Sequence, residues 1–221
     1  MNFPDGLFSP VWSGSAFAVL FPFVIWALWT APWRRLADST QLHGWLGTIV
    51  VVMLFWRINA GVRPGLNLHI LGATTFTLMF GRQLAVVGLG IVVAAVTAAG
   101  VGGWSAFALN ALMLAVLPPF IADAIRRLSE RRLPANMFVY IFVAGFFGGA
   151  ATVAVSGLAA TLLLALAHVY PAHLLFDEFF PYYSLLGFAE AWMNGAAVTL
   201  LVVYFPQWVG SFDDRRYLRR K

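Results

Sequence analysis

Long runs of apolar residues, separated by short polar stretches, set the pattern of this chain. Seven runs occur, at roughly 11–31, 44–60, 66–81, 84–102, 104–125, 137–167 and 183–206. Most of them approach the roughly 20 residues that a helix needs to cross about 30 Å of hydrocarbon. Only 10% of the residues are charged, against about a quarter in an ordinary soluble domain. The sequence therefore predicts one polytopic domain over 1–221, an all-α integral membrane bundle of about seven transmembrane helices.

Two of the runs differ from a simple spanning helix. The third run, GLNLHILGATTFTLMFG, is short and contains glycine. This composition favours a broken or re-entrant helix that lines a polar interior. The sixth run, 137–167, is longer than a membrane requires, so we expect it either to tilt steeply or to break near Ser156 and Gly157.

The basic residues follow the odd-numbered runs. They lie at 34–35, at 82, within 126–132 and within 215–221, and only Arg57 and Arg63 lie elsewhere. Because Lys and Arg accumulate in cytoplasmic loops, seven spans place the N-terminus outside and the C-terminus in the cytoplasm. We therefore expect a multi-pass protein of the inner (cytoplasmic) membrane, in contact with lipid. The net charge of +5 then reflects topology, and we expect no nucleic-acid partner.

The chemistry-bearing motifs are few. The chain has no cysteine, which excludes disulfides and thiolate ligands, so any metal site must use nitrogen and oxygen. It has no phosphate-binding glycine loop, no HExxH motif and no recognisable Ser-His-Asp triad. The sequence therefore does not predict an enzyme.

Four histidines are the candidate nitrogen ligands. His43 lies at the predicted cytoplasmic start of the second run and is expected at the interface. His168 and His173 lie in a predicted outer loop beside two carboxylates, where they form either a cation-attracting group or an ordinary solvated loop. His69 lies within the third run, and an ionisable residue near membrane depth is a functional candidate, with interhelical hydrogen bonding as the alternative.

Further candidates among the polar residues inside the runs are Asn110, Asp123, Ser156, Glu190 and Asn194. Asp123 precedes Arg126 and Arg127 by three and four residues, which predicts an ion pair on one helix face. Glu190 and Asn194 share a face by the same spacing. They either hold helices together or take a direct functional role.

Four stretches occur in an order known from one transporter family. They are the opening MNFPDGLFSP, HILGATTFTLMFG from His69 to Gly81, NALMLAVLPPF from Asn110 to Phe120, and NGAAVT from Asn194 to Thr199. Together they resemble the cobalt/nickel substrate-specific membrane component of energy-coupling-factor ABC transporters, the CbiM/NikM type. In the last stretch an amide replaces the family's acidic residue. The likeness extends over most of the chain.

The resemblance implies a metal site at the N-terminus. In that family the terminal amine, the backbone nitrogen and imidazole of residue two, and a downstream histidine hold the ion in a nearly planar nitrogen site. Carried over, the metal ligands would be Met1, Asn2 and His69. Residues 1–10, with two prolines and an Asp-Gly turn pair, would be an ordered segment that folds back toward the bundle. The opening lacks the basic region of a signal peptide, so we expect Met1 to remain the N-terminus.

Asn2 departs from the family pattern, which has histidine there. Its side-chain oxygen would have to replace an imidazole, or His168 or His173 would have to complete the site. The possible supporting residues are therefore His168, His173, Asn110, Glu190 and Asn194. Nearly planar nitrogen coordination suits nickel or copper and accommodates cobalt. Cobalt or nickel is the implied substrate, and copper and zinc stay open.

The implied function is a substrate-binding permease for uptake of a divalent transition-metal ion. Its expected partners are a transmembrane coupling subunit and ATPase subunits. One alternative is a non-transport membrane protein of the same fold, such as a metal-delivery or assembly factor for a membrane metalloenzyme. Another is a transporter for an organic vitamin, which would leave the position of His69 unexplained.

Overall fold

A computed structural model describes residues 2–218, with the backbone alone at Val62 and Asp214. Its helices are α1 (Pro10–Thr30), α2 (Ser39–Arg57), α3 (Ala73–Phe80), α4 (Arg82–Ala98), α5 (Phe107–Arg132), α6 (Met137–Leu166), α7 (Tyr182–Tyr204) and α8 (Asp214–Tyr217). The strands β1 (Ala60–Arg63) and β2 (Leu66–Leu68) form an antiparallel hairpin between α2 and α3. A π-helical turn, Leu174–Phe179, precedes α7.

The helices α1 to α7 correspond in order to the seven predicted runs, so the all-α membrane class is confirmed. Among residues 2–218, five helical segments are long and apolar enough to cross a membrane: α1, α2, α5, α6 and Leu174–Tyr204. Helix α4 is apolar but has 17 residues, and α3 has eight. Which end of the chain faces the cytoplasm stays a prediction. Of the basic residues on which it rests, 219–221 lie outside the described part of the chain.

The third run forms the broken element that its composition predicts. After β2 the chain passes Gly72, which adopts a left-handed conformation (φ 66°), and enters α3, which ends at Phe80 and is followed by Gly81 (φ 82°). Every residue of α3 except Thr75 is buried, and the helix packs against α4, α5, α6 and α7. A short helix in this position cannot satisfy its terminal backbone groups with water, so neighbouring elements must supply partners.

The long helices contain π-helical segments. In α5 the segment Leu112–Val116 is separated from the Pro118–Pro119 pair by one residue, Leu117. Because proline cannot donate and clashes with the carbonyl four residues earlier, such a widened turn lets the helix continue. In α6 the π segment is Tyr140–Phe147.

The suggested break of α6 near Ser156 and Gly157 is wrong, because 148–166 is regular α-helix. The glycine serves close packing instead. A Cβ at Gly157 would lie 2.2 Å from Cδ1 of Tyr183 on α7, so the missing side chain makes room for the ring.

The predicted ion pair of Asp123 is confirmed. Its carboxylate accepts hydrogen bonds from Arg126 Nη2 and from Arg127 Nε, each at 2.8 Å. Arg82 Nη1 approaches the same carboxylate at 3.7 Å. The cluster joins the start of α4 to the second half of α5.

Candidate metal centre

The first described residues of the N-terminal segment, Asn2 and Phe3, are buried, whereas Asp5 and Gly6 after them are exposed. Asn2 is 3% exposed and Phe3 is fully buried. The backbone N–H of Phe3 donates to Asn110 Oδ1 at 2.8 Å, and Asn110 Nδ2 donates back to the Phe3 carbonyl at 3.0 Å. The same carbonyl accepts the N–H of Gly103 at 2.9 Å. The segment is therefore bound by α5 and by the turn before it.

The turn at 101–105 fits closely around Asp5. The backbone N–H and the hydroxyl of Ser105 donate to Asp5 Oδ1 at 2.7 and 2.8 Å. These bonds, with the backbone bond the larger cause, lower the pKa of the Asp5 carboxyl. A Cβ at Gly103 would lie 2.2 Å from the Asp5 nitrogen. A glycine is needed there because the two backbones touch.

The β hairpin covers the same segment from the other side. The N–H of Asn2 donates to Asn67 Oδ1 at 2.6 Å. Gly65, at the hairpin turn with φ 76°, faces Leu7 and Phe3, and a Cβ there would lie 2.6 Å from Leu7 Cδ2. Asn67 belongs to β2 and precedes His69 by two residues, so the hairpin connects the N-terminal backbone with the histidine.

His69 is held as a buried imidazole. It is 3% exposed, and its ring centroid lies 5.0 Å from that of Trp56. Its Nδ1 lies 3.3 Å from the carbonyl oxygen of Ile70. When Nδ1 carries the proton and donates to this carbonyl, Nε2 is the nitrogen that can bind a metal ion. His69 also lines a cavity of about 10 Å³ together with Ser156 and Tyr183.

The other histidines differ from His69 in their surroundings. His43, His168 and His173 are exposed. Residues 2–218 contain no group of three or more His, Cys, Asp or Glu side chains that could hold a metal ion. A site would therefore need main-chain or amide donors. Met1, one of the predicted ligands, lies outside the described residues.

Glu190 and Asn194 contact the backbone just after His69. Glu190 Oε1 accepts hydrogen bonds from the N–H groups of Leu71 and Gly72. Asn194 Oδ1 accepts from the N–H and the hydroxyl of Thr75, at 3.0 and 2.7 Å. The pair supplies acceptors to the N-terminal end of α3.

Sequence reasoning missed two residues of this region, Asn67 and Ser105. Both are polar residues beside recognised features, Asn67 in the NLH triplet and Ser105 after the paired glycines of VGGWS. Their partners lie 65 and 100 residues away, which no local pattern reveals.

Residues 2–208 match the family described as CbiM, cobalt uptake substrate-specific transmembrane region. The chain belongs to this family. A member of this family is a multi-pass membrane component of transport rather than an enzyme. The match also confirms the resemblance seen in the sequence motifs.

One relative of the CbiM-family chain is the fused nickel transport protein NikMN of Rhodobacter capsulatus. It is 30% identical over 173 residues, which cover 75% of this chain and 46% of the relative, so the match spans about half of that protein. Two crystal structures of transition metal transporters, one truncated, are 19% and 20% identical and each give a TM-score of 0.76. The match to the truncated transporter covers 92% of this chain and 99% of that one. The match to the other covers 98% of this chain and 96% of that one, so the fold is shared.

Proposed function

We propose that this chain is the substrate-binding permease component for uptake of a divalent transition-metal ion, cobalt or nickel. Uptake is driven by a separate ATPase module through a transmembrane coupling subunit. Membership of the CbiM family supports the transport role. The name of the Rhodobacter relative supports nickel as one candidate substrate.

The hydrogen bond from Asn2 N–H to Asn67 Oδ1, at 2.6 Å, carries the proposal. In an extended chain, residues two apart point to the same side. Asn67 is in β2, and His69 is the first residue after that strand. An extended backbone at 67–69 would turn the side chain that binds the N-terminal backbone and the imidazole to the same side. The proposed ligands are the amine of Met1, the backbone nitrogen and side-chain oxygen of Asn2, and the imidazole of His69.

The side chain of Asn2 suits this assignment. It is buried, and its Nδ2 has no hydrogen-bond partner within the described residues 2–218. The amide can therefore turn its oxygen toward an ion without breaking a hydrogen bond of Nδ2. An amide oxygen is a harder and weaker ligand than imidazole, so this site binds less tightly than one with histidine at position two.

The test measures metal binding by the purified protein with an unextended N-terminus, together with metal accumulation in cells that also carry the ATPase and coupling subunits. His69→Ala should abolish both binding and accumulation, and His43→Ala, which removes an exposed histidine, should leave both unchanged. Unaltered binding by His69→Ala would remove His69 from the site. His168→Ala and His173→Ala decide whether either histidine completes the coordination.

Two further results would change the proposal. Residues added ahead of Met1 should block binding, because they replace the terminal amine by an amide, so full binding by such a protein excludes the amine. Binding without accumulation in cells that carry the ATPase and coupling subunits would favour the metal-delivery alternative over a permease.

A further inference from the structure

We propose that Glu190 and Asn194 of α7 are positioning residues for His69. They fix the backbone at 71–75 and, through it, the direction of the imidazole. This inference rests on the proposed role of His69 as a metal ligand. It assigns to the two polar residues of the last span a task in the site, although neither contacts the ion.

Glu190 and Trp56 each hydrogen-bond to the backbone of Leu71, Glu190 to its N–H and Trp56 to its carbonyl. Glu190 Oε1 accepts the Leu71 N–H, and it also accepts the N–H of Gly72 at 3.2 Å. The Leu71 carbonyl accepts Trp56 Nε1 at 3.1 Å, and the ring of Trp56 contacts the ring of His69. Because Leu71 lies two residues after His69 and shares Trp56 with it, a shift of Leu71 moves the imidazole.

Asn194 binds the backbone one helical turn further along, at Thr75. Its Oδ1 accepts both the N–H and the hydroxyl of Thr75, and its Nδ2 donates to the Glu190 carboxylate and, at 2.8 Å, to the Glu190 carbonyl. The two side chains therefore form one hydrogen-bonded unit. A Cβ at Gly149 would lie 2.8 Å from Asn194 Nδ2, so the missing side chain lets α6 approach this unit closely.

The burial of Glu190 is a reason for this contact to resist displacement. The residue is 1% exposed, and within residues 2–218 it has no ion pair with Lys, Arg or His. A carboxylate inside a membrane protein is costly unless its lone pairs are satisfied. Here the satisfying donors are the Leu71 N–H, the Gly72 N–H and the Asn194 amide. Displacing the 71–72 backbone would leave the carboxylate short of donors, so the backbone is held in place.

The chemistry of the pair offers an exchange test. Glu190→Gln alone places an amide N–H₂ against either the backbone donors or the Asn194 N–H₂. Asn194→Asp alone sets two carboxylates against each other. The double variant Glu190→Gln/Asn194→Asp restores one donor between the two side chains, keeps acceptors for the N–H groups of Leu71, Gly72 and Thr75, and preserves the net charge. It does not restore the bond that Asn194 Nδ2 donates to the Glu190 carbonyl. Thr199→Val is the matched control, because the Thr199 hydroxyl donates only within α7, to the Gly195 carbonyl.

Nickel and cobalt binding is measured for the two single variants, the double variant and the control, with hydrogen exchange of the 69–76 backbone in the metal-free protein. We expect each single variant to bind about tenfold or more weakly. The variant backbone shifts to relieve the unpaired buried group, and binding must restore the native position, where that group typically costs about 1–3 kcal/mol. Exchange at 71–75 should rise in both, and the double variant should recover part of both losses. Thr199→Val should change neither.

The outcomes separate this inference from the proposed function. Single variants with wild-type affinity and exchange would overturn it, as would a double variant no better than the single ones. If the single variants do not fold, the double variant is the test: metal binding by the double variant supports the inference, and its absence overturns it. Should wild-type protein bind neither metal, the proposed function fails, and the exchange pattern alone shows whether the pair orders 71–75.

Discussion

Phe3 and Asn110 are joined by a reciprocal pair of hydrogen bonds, in which one side-chain amide serves both backbone groups of one residue. Asn110 Oδ1 accepts the Phe3 N–H at 2.8 Å and Asn110 Nδ2 donates to the Phe3 carbonyl at 3.0 Å. An amide that pairs with a backbone in this way fixes its position along the chain as well as its distance. The proposed metal site therefore depends on α5 although α5 supplies no ligand.

Replacing Asn110 should release the N-terminal segment. Asn110→Leu keeps the volume but leaves the buried Phe3 N–H without an acceptor, which typically costs about 1–3 kcal/mol. We expect lower thermal stability, faster hydrogen exchange in the N-terminal peptide and weaker metal binding. Asn59→Ala, at an exposed asparagine, should change none of these. Wild-type exchange in Asn110→Leu would show that the pair does not hold the segment.

Gly103 should tolerate no side chain. A Cβ there would lie 2.2 Å from the Asp5 nitrogen and 2.5 Å from the Pro4 carbonyl carbon, and backbone atoms cannot rotate away. Gly103→Ala should therefore displace the N-terminal segment and lower stability by about 1–3 kcal/mol. Gly90→Ala is the matched control, because nothing lies within 4 Å of its added Cβ and the helix interior gains about 0.5–1 kcal/mol. The two alanine variants should change the unfolding temperature in opposite directions.

The hydrophobic pattern predicted the helices well because lipid and core both select apolar residues over membrane-length runs. It also predicted that the third run is irregular, from its shortness and its glycines. It did not predict the π-helical segments of α5 and α6. The segment of α5 accompanies Pro118 and Pro119, whereas that of α6 contains no proline. Such local adjustments leave no periodic trace in the sequence.

Residue chemistry singled out His69, Asn110, Glu190 and Asn194, but it did not supply their partners. Spacing placed Glu190 and Asn194 on one helix face. Only the three-dimensional structure shows that this face meets the start of α3, 119 residues earlier in the chain. Polar contacts inside a bundle link distant segments, so a single sequence identifies which residues need partners and leaves the partners themselves undefined.

The contact between Asp5 and Ser105 should persist from neutral pH down to mildly acidic pH. Ser105 lowers the pKa of Asp5 below its ordinary value of 3.8 through its N–H and its hydroxyl. A carboxyl whose pKa is lower in the folded state stabilises that state above its unfolded value, and the stabilisation is lost as the pH falls through the folded pKa. An NMR titration of the Asp5 carboxyl should therefore have its midpoint below 3.8, and Ser105→Ala should move that midpoint upward. An unmoved midpoint would assign the lowered pKa to the backbone N–H of Ser105 alone, which this variant keeps.

Arg82 should not be replaceable by lysine. Its guanidinium lies 4.8 Å from the ring centroid of Trp26 and 4.5 Å from that of Phe120, and it approaches Asp123 at 3.7 Å. Arg82→Lys keeps the charge but loses the flat group that lies against the two rings, at a cost of about 1–2 kcal/mol.

Arg127→Lys is the matched control for this change. The Arg127 side chain also binds Asp123, but it is 52% exposed, and exposed ion pairs contribute only about 0–1 kcal/mol. Thermal unfolding in detergent should therefore show a clear loss for Arg82→Lys and almost none for Arg127→Lys. Equally small losses would mean that the positive charge beside Asp123, which lysine keeps, rather than the aromatic contacts, determines the contribution of Arg82. In that case Arg82→Gln would be the more damaging change, because it removes the charge as well.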